Sequence, residues 1–558
     1  MGILGFVIIA LVFLLIIFIS GAVNDRKMLR VYKDNLKRDY GSSNKREYKN
    51  EEFSHIDGYF KKHKADYHLD EITWNDLNMN DFFMQMDYAK CSAGDEYLYY
   101  LLRTPKTKQM DWDLFEEKVN YFMTHEKERI ELQLALYKMG YTGKYSIYDY
   151  LDNLESLGKR SSIKSIVVDI VLMLSIALMF VDLKWGLIIF FISLFYNIKE
   201  YFKEKGEIEP YIISFRYLFR VLDEIDVLKK QKNPCIQEEI EQLLELKQQF
   251  GDFMRFSYLL MSPGRMNGDM MEIGLDYMRM FFHLDIIKFN SMLAEVFAHK
   301  NEIDQILTII GQIDVYLCVG EYRTFLGEYT VPVYEKKTYC AKELYHPLLQ
   351  NPVKNDVDVK KSMLITGSNA SGKSTFLKTL ALNAVLAQSI HTVCADYYAG
   401  DNFRIYSSLT LKDNIFDGDS YYMAEIKSIK RIMDAYKKED VPVLAFVDEV
   451  LRGTNTIERI SASSVILQQL AHGNGFCFAA THDLELTEIL KLYYENVHFE
   501  ESIENNDIVF PYRLQKGKAT TRNAIALLSI MGYDSSITNN AQSQAQRFEI
   551  NHKWEVLP

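Results

Sequence analysis

The sequence predicts an α/β P-loop fold for the C-terminal part of the chain, preceded by an all-α region that carries apolar segments of membrane length. Three observations predict it. A glycine-bearing loop sits between a strand pattern and a helix pattern. Two further apolar runs end in polar residues, and the residues before about 335 follow helical periodicity, interrupted by apolar blocks.

Met363-Leu364-Ile365 reads as a buried strand and residues 376–382 as a helix, so Gly367-Ser368-Asn369-Ala370-Ser371-Gly372-Lys373-Ser374-Thr375 is the loop between them. In that setting the G-x-x-x-x-G-K-S pattern is a phosphate-binding loop. Backbone N–H groups and the helix N-terminus favour negative charge, Lys373 suits the β/γ-phosphates, and Ser374 suits Mg²⁺. The sequence therefore predicts a site for ATP and Mg²⁺.

Val443-Leu444-Ala445-Phe446-Val447 is a second buried strand, and it ends in Asp448-Glu449, where open α/β sheets place ligands. Asp448 is the expected second metal group, and Glu449 the group that orients or deprotonates the attacking water. A third apolar run, Phe476-Cys477-Phe478-Ala479-Ala480, delivers Thr481-His482. Taken alone His482 would be a structural or surface histidine; after two other motifs it is expected to be catalytic alongside Glu449.

These residues resemble the ATPase domain of the MutS mismatch-repair family, a branch of the ABC-type ATPases. The family's loop reads close to GPNMGGKST against GSNASGKST here. Its acidic segment reads DEIGRGTST against Asp448-Glu449-Val450-Leu451-Arg452-Gly453-Thr454-Asn455-Thr456. Ser420-Tyr421-Tyr422-Met423-Ala424-Glu425-Ile426 resembles the family signature S-T-F-x-x-E-M, Ala480-Thr481-His482-Asp483 its A-T-H switch, and His346-Pro347 its HP pair. The segment 517–528 is similar to a degenerate G-x-A-x-x-S-Y-G. Tyr421-Tyr422, Leu451 and Arg522-Asn523-Ala524 depart from the pattern without removing a phosphate or metal group. The resemblance implies an ATPase that forms a homodimer, in which Ser420 and Glu425 of one subunit complete the nucleotide site of the other, and it implies DNA as a partner.

Weaker likeness extends upstream. Residues 82–94 and Leu101-Leu102-Arg103-Thr104-Pro105 look like the opening of the MutS core. What precedes them is too short for a mismatch-reading domain with its connector. Ile286, Phe289, Leu293, Val296, Ile303, Leu307 and Ile310 step by three and four and predict one long amphipathic helix. Ile236, Ile240, Leu243, Leu244 and Phe250 predict another after Pro234. In the resembled family such helices are levers; the short connection here implies no full DNA clamp.

Residues 1–24 carry no charged side chain and are long enough, at about 1.5 Å per residue, to cross a hydrocarbon core of about 30 Å. Residues 25–46 then hold eight basic against three acidic residues, which predicts a cytoplasmic body by the positive-inside rule. A second apolar block, 163–198, is broken by Asp182-Leu183-Lys184 and flanked by basic residues. It fits two short crossings, a re-entrant hairpin or a buried helix pair. The expected organisation is an anchor (1–24), a basic juxtamembrane linker (25–64), a MutS-core-like helical segment (65–160), a transmembrane hairpin (163–198), a helical core or lever (199–335) and the ATPase domain (336–558). The expected location is the plasma membrane, with the ATPase on the cytoplasmic side.

Composition limits the alternatives. Six cysteines without a C-x-x-C pair argue against zinc and a disulfide framework. A formal charge of −12 is unlike that of an obligate nucleic-acid binder. Two functions therefore stand after the sequence: a membrane-anchored MutS-type ATPase that engages DNA, and a membrane-bound ABC-type mechanoenzyme that acts on a protein or lipid-proximal partner. A transporter is disfavoured because one or three short spans cannot build the usual translocation path.

Overall fold

The computed structural model describes residues 27–48, 53–257, 260, 270–368, 371–409, 421–437, 441–504, 507–519, 524–551, 553, 554 and 556. The apolar segment 1–24, Asn369, Ala370, Ser420 and Arg522-Asn523 lie outside the described residues. The chain forms two compact units, one from residues up to Lys64, Met86–Tyr100 and Trp112–Phe325, the other from Ala65–Gln85, Leu101–Asp111 and Leu326 onward.

The first unit is helical. Its main described helices are α1 (Asp113–Thr124), α2 (Glu126–Met139), α3 (Ile163–Met179), α4 (Leu183–Ile208), α5 (Ile212–Gln231), α6 (Leu284–Ala298) and α7 (Lys300–Leu326). Their apolar faces meet in one core that includes Leu136, Phe215, Val221, Phe289, Ile310 and Leu317. The single long helix expected from Ile286 onward is two helices. His299 takes φ −123°, ψ 39°, outside the α region, and its N–H still reaches the Glu295 carbonyl while its own carbonyl accepts from Ile303. The break falls beside Lys300, the polar member of the stripe. Gln237–Lys247 is helical, with Ile240 and Leu243 buried.

The 163–198 block folds as the α3–α4 hairpin. The first helix ends at Met179, and Asp182 caps the second, because its side chain accepts from the Lys184 and Trp185 N–H groups at 3.0 and 3.2 Å. Among the described residues one helix is long and apolar enough to cross a membrane, and it is α7, two-thirds buried in the core. At 17 residues α3 is shorter than that measure requires, so length and composition do not establish the crossings expected of 163–198.

The second unit is α/β. Its strands are β1 (Val333–Tyr334), β2 (Tyr339–Leu344), β3 (Asn355–Asp358), β4 (Met363–Thr366), β5 (Tyr397–Gly400), β6 (Arg404–Ser408), β7 (Val443–Asp448), β8 (Gly475–Ala480), β9 (Glu495–Phe499), β10 (Ser502–Glu504), β11 (Asp507–Val509) and β12 (Leu514–Lys516). A six-stranded sheet runs β12-β9-β4-β8-β7-β6, parallel except for β12. A four-stranded sheet runs β1-β5-β2-β3, and β10 pairs with β11. Helices α8 (Lys373–Ile390), α9 (Tyr421–Tyr436) and α10 (Thr456–His472) follow β4, β6 and β7. All of β4 is buried, as a central parallel strand covered on both faces requires.

Residues 65–85 and 101–111 were expected inside the helical segment 65–160, yet they cluster with this α/β unit. Their chemistry explains it. The Tyr67 hydroxyl donates to the Ile405 carbonyl at 2.6 Å and accepts from the Ile405 N–H at 2.7 Å, while the Asp76 carboxylate accepts from Ser407 Oγ and the Leu409 N–H. These groups cover the outer edge of β6, which would otherwise present unpaired backbone.

Candidate active site

The sheet order places β8 between β4 and β7, so the loop after β4, the acidic pair after β7 and the Thr481-His482 pair after β8 emerge side by side. Two backbone positions demand glycine. At Gly367 (φ 143°) a Cβ would lie 2.7 Å from Ser371 Oγ and 2.8 Å from the Phe499 carbonyl, and at Gly372 (φ 98°) it would lie 2.9 Å from the Tyr512 ring. Between them the Ser371 hydroxyl donates to the Ser368 carbonyl at 2.8 Å, closing the turn, and Ser368 Oγ donates to Glu501 Oε2 at 3.0 Å.

Lys373 opens α8 and is buried. Its Nζ donates to the Gly367 and Ser368 carbonyls at 2.8 and 2.7 Å. Burial pushes this ammonium below the usual lysine range, opposed by Asp448, Glu449 and Glu501. Ser374 Oγ donates to Asp448 Oδ2. The Asp448 carboxyl is raised by burial, against the Ser374 hydrogen bond and Lys373.

Glu449 stands in the left-handed region at φ 50°, a strained position for a non-glycine residue, with its N–H donating to the Ala480 carbonyl at 3.0 Å. Its Oε1 is 2.9 Å from His482 Nε2 and its Oε2 is 3.0 Å from Arg452 Nε. The His482 hydrogen bond is the main reason this carboxyl is held below its ordinary value. His482 Nε2 also lies 3.3 Å from Lys373 Nζ. One imidazole nitrogen cannot donate to a carboxylate and accept from an ammonium at once, so the two contacts are alternatives. The shorter one is to Glu449.

Glu425, on α9, is turned inward. It is 2% exposed, and its Oε1 accepts from the backbone N–H groups of Leu451 and of Arg452, the latter at 3.3 Å. Leu451 has φ 61°, so this carboxylate fastens a loop that turns twice through the left-handed region. The hydrogen bonds of Glu425 Oε1 go to its own chain. Burial raises its carboxyl, opposed by the two backbone donors.

Beside the loop is a cleft of about 440 Å³ lined by Leu344, His346, Asn355, Thr375, Phe499 and Tyr512, among others. Burial, reinforced by Lys378, pushes the His346 imidazole down to about 4, so it is neutral near pH 7. Asn355 fixes the Tyr512 segment, accepting from the Leu514 N–H at 2.7 Å and donating to the Tyr512 carbonyl at 3.0 Å. Tyr512, Phe499, Asn355 and Glu501 were not singled out from sequence, because they lie on strand edges and a C-terminal loop outside the motif segments. Arg459 and Asp483 pair through two hydrogen bonds, at 2.9 and 2.6 Å, and tie α10 to the residue after His482.

The donor set fits a magnesium nucleotide. Glycine-only backbone leaves room for close approach to phosphate, Lys373 supplies the buried cation, and the Ser374 hydroxyl with the Asp448 carboxylate supplies hard oxygen ligands. Among the described residues no cluster of three or more His, Cys, Asp or Glu side chains forms a separate metal site.

Comparison with known proteins agrees with these motifs. Residues 363–549 match the family model for MutS domain V. MutS protein homolog 4 of Homo sapiens is 29% identical over 295 residues, covering 49% of this chain and 31% of that protein. The DNA mismatch repair protein MutS of Thermotoga sp. (strain RQ2) is 29% identical over 274 residues, 47% of this chain and 34% of its own length. That of Pseudothermotoga lettingae is 28% identical over 285 residues, 48% of this chain and 35% of its own length. The chain spans about a third of the length of these curated relatives, and it resembles the MutS family.

Proposed function

We propose that this chain, whose residues 363–549 resemble MutS domain V, is a MutS-type ATPase that binds and hydrolyses Mg²⁺–ATP as a dimer and couples the cycle to DNA. The observation that carries the reading is the convergence of Lys373, Ser374, Asp448, Glu449 and His482 at one edge of the six-stranded sheet. Lys373 and the loop backbone hold phosphate, and Ser374 and Asp448 hold the metal, which when bound neutralises developing phosphate charge. Glu449, kept ionised by His482 and Arg452, takes the water proton, and His482 fixes the carboxylate's orientation. Ser420 of a second subunit completes the site in a two-fold arrangement. Glu425 serves its own chain by holding the loop that carries Glu449 and Arg452.

The test compares two variants of the full chain. Lys373→Ala removes nucleotide binding, while Glu449→Gln keeps binding and slows turnover by at least about a hundredfold, the scale of a lost general base. Unchanged turnover in both would overturn the chemistry. For DNA, turnover is followed with duplex and branched DNA over a salt series, and affinity falls as salt rises if phosphates are contacted.

A second reading, a membrane-bound ABC-type mechanoenzyme with no DNA role, is favoured by the exposed apolar α3–α4 hairpin. Turnover indifferent to every DNA form at low salt selects it. In both readings the protein sits in the plasma membrane with the ATPase unit on the cytoplasmic side, supported by the basic residues that follow the apolar segment 1–24.

A further inference from the structure

We propose that the α3–α4 hairpin is embedded in a lipid bilayer, with both of its ends on one face of the membrane. The inference rests on the membrane placement above and is independent of the nucleotide chemistry.

The hairpin is patterned inside out. The buried residues of α3 are Ser165, Leu172 and Ser175, and those of α4 include Gly186 and Ser193. Ser193 Oγ lies 3.4 Å from Ser175 Oγ, and a Cβ on Gly186 would lie 2.5 Å from the Met179 backbone nitrogen. Small and polar residues thus let the helices approach, as they do at helix contacts inside membranes. The outward faces are apolar: Leu174 is 64% exposed, Phe191 64%, Ile192 65%, Phe195 75% and Phe180 90%. Nearly half of the exposed large apolar side chains among the described residues lie on this one hairpin. A water-facing hairpin has the reverse arrangement, and a patch of this size on a soluble surface marks contact with another apolar phase.

The polar groups show where that phase ends. At the base, Arg160 pairs with Glu204 and Glu207, Lys164 with Glu200 and Lys205 with Asp285, a band of charge on both helices at the same level. Inside the apolar region Asp169 accepts from Asn197 Nδ2 at 3.1 Å and lies 2.7 Å from the buried His283 Nδ1, while Asn197 Oδ1 and His283 Nε2 have no hydrogen-bond partner among the described residues. Pairing of this kind makes ionisable groups tolerable at membrane depth. Over its full length, from Ile163 to Met179, α3 rises about 1.5 Å per residue, on the order of 25 Å in all, so the helix from the ionic band to the turn spans most of a hydrocarbon core of about 30 Å. An outer groove of about 560 Å³, lined by Val167, Val171, Ile189 and Ile192, with Tyr196 and Lys164, itself paired with Glu200, at its basal end, has the apolar lining that an acyl chain takes. Between the ionic band at the base and the exposed Asp182 and Lys184 at the turn the outward surface is apolar, an arrangement that an aqueous phase would not call for.

The experiment uses the full chain reconstituted into phosphatidylethanolamine–phosphatidylglycerol vesicles. The photoreactive residue p-benzoylphenylalanine replaces Leu174, Phe191 or Phe195 in turn, with Leu114 of α1, 55% exposed, as the control. After irradiation, floated vesicles are analysed for chain–lipid adducts. Lipid adducts at all three hairpin positions, with background only at Leu114, are expected. Adducts to a second copy or to the chain itself in place of lipid, or no adduct in a chain that still floats, would overturn the hairpin's insertion while leaving membrane attachment intact. A chain that does not float overturns both.

Discussion

Glu449 Oε1 and His482 Nε2 lie 2.9 Å apart at the ends of β7 and β8, joining the acidic pair and the histidine switch through one hydrogen bond. Because this bond is the main reason the Glu449 carboxyl is depressed, the carboxylate persists to lower pH than an ordinary glutamate would. If Glu449 is the base, turnover is lost as pH falls through its lowered value. His482→Ala lets that value rise, so the acid limb of the kcat–pH profile moves to higher pH, and kcat falls about tenfold or more. A limb that stays in place would remove Glu449 as the group that sets it.

Glu425 offers a second measurement, directed at the loop that carries the base. Glu425→Ala leaves the buried Leu451 N–H without its acceptor, at a cost of about 1–3 kcal/mol. Turnover should fall more than nucleotide affinity, since Lys373 and Ser374 are untouched. Glu425→Gln keeps a carbonyl oxygen for the same N–H groups and restores most of the rate. Equal losses in both variants would point to a need for the charge itself.

Assembly is tested by complementation. A Lys373→Ala subunit mixed with a Ser420→Arg subunit leaves about one intact composite site per heterodimer if the signature segment works across the two-fold axis. ATP turnover should reappear on mixing, in proportion to heterodimer measured by differential tags. Heterodimer formation without turnover would place Ser420 in its own chain's service.

Much of the nucleotide site was legible because phosphate and metal chemistry restrict residue type at fixed spacing, as at Gly372-Lys373-Ser374 and Asp448-Glu449. Strand order was not legible: nothing in the run 476–480 says that it inserts between β4 and β7, although that insertion brings His482 to Glu449. The direction of Glu425 was equally hidden, since helical spacing gives a face but not the loop that the face meets. The break at His299 escaped the periodicity because α6 and α7 both continue the apolar stripe and only backbone angles separate them. Tyr67 and Asp76 were assigned to a helical segment by chain position, whereas their partners on β6 are more than 300 residues away.

A last prediction concerns stability in the helical unit. Asp314 is fully buried; its Oδ2 accepts from the Lys90 and Cys91 N–H groups at 2.8 and 3.1 Å, while its Oδ1 has no hydrogen-bond partner among the described residues. Burial, with a contribution from Asp87, pushes this carboxyl up to about 7, against its hydrogen bonds and Lys90. With the folded value above the unfolded one near 3.8, the folded chain binds the extra proton between them. The associated stability is complete below the unfolded value and is lost as pH rises through about 7. Asp314→Asn keeps an oxygen acceptor for both N–H groups and cannot ionise. In urea unfolding the variant should therefore gain on the wild type between about pH 4 and pH 7, by on the order of a few kcal/mol, and the difference should level off above that range. A difference that is constant across this range would mean that Asp314 titrates alike in the folded and unfolded chains.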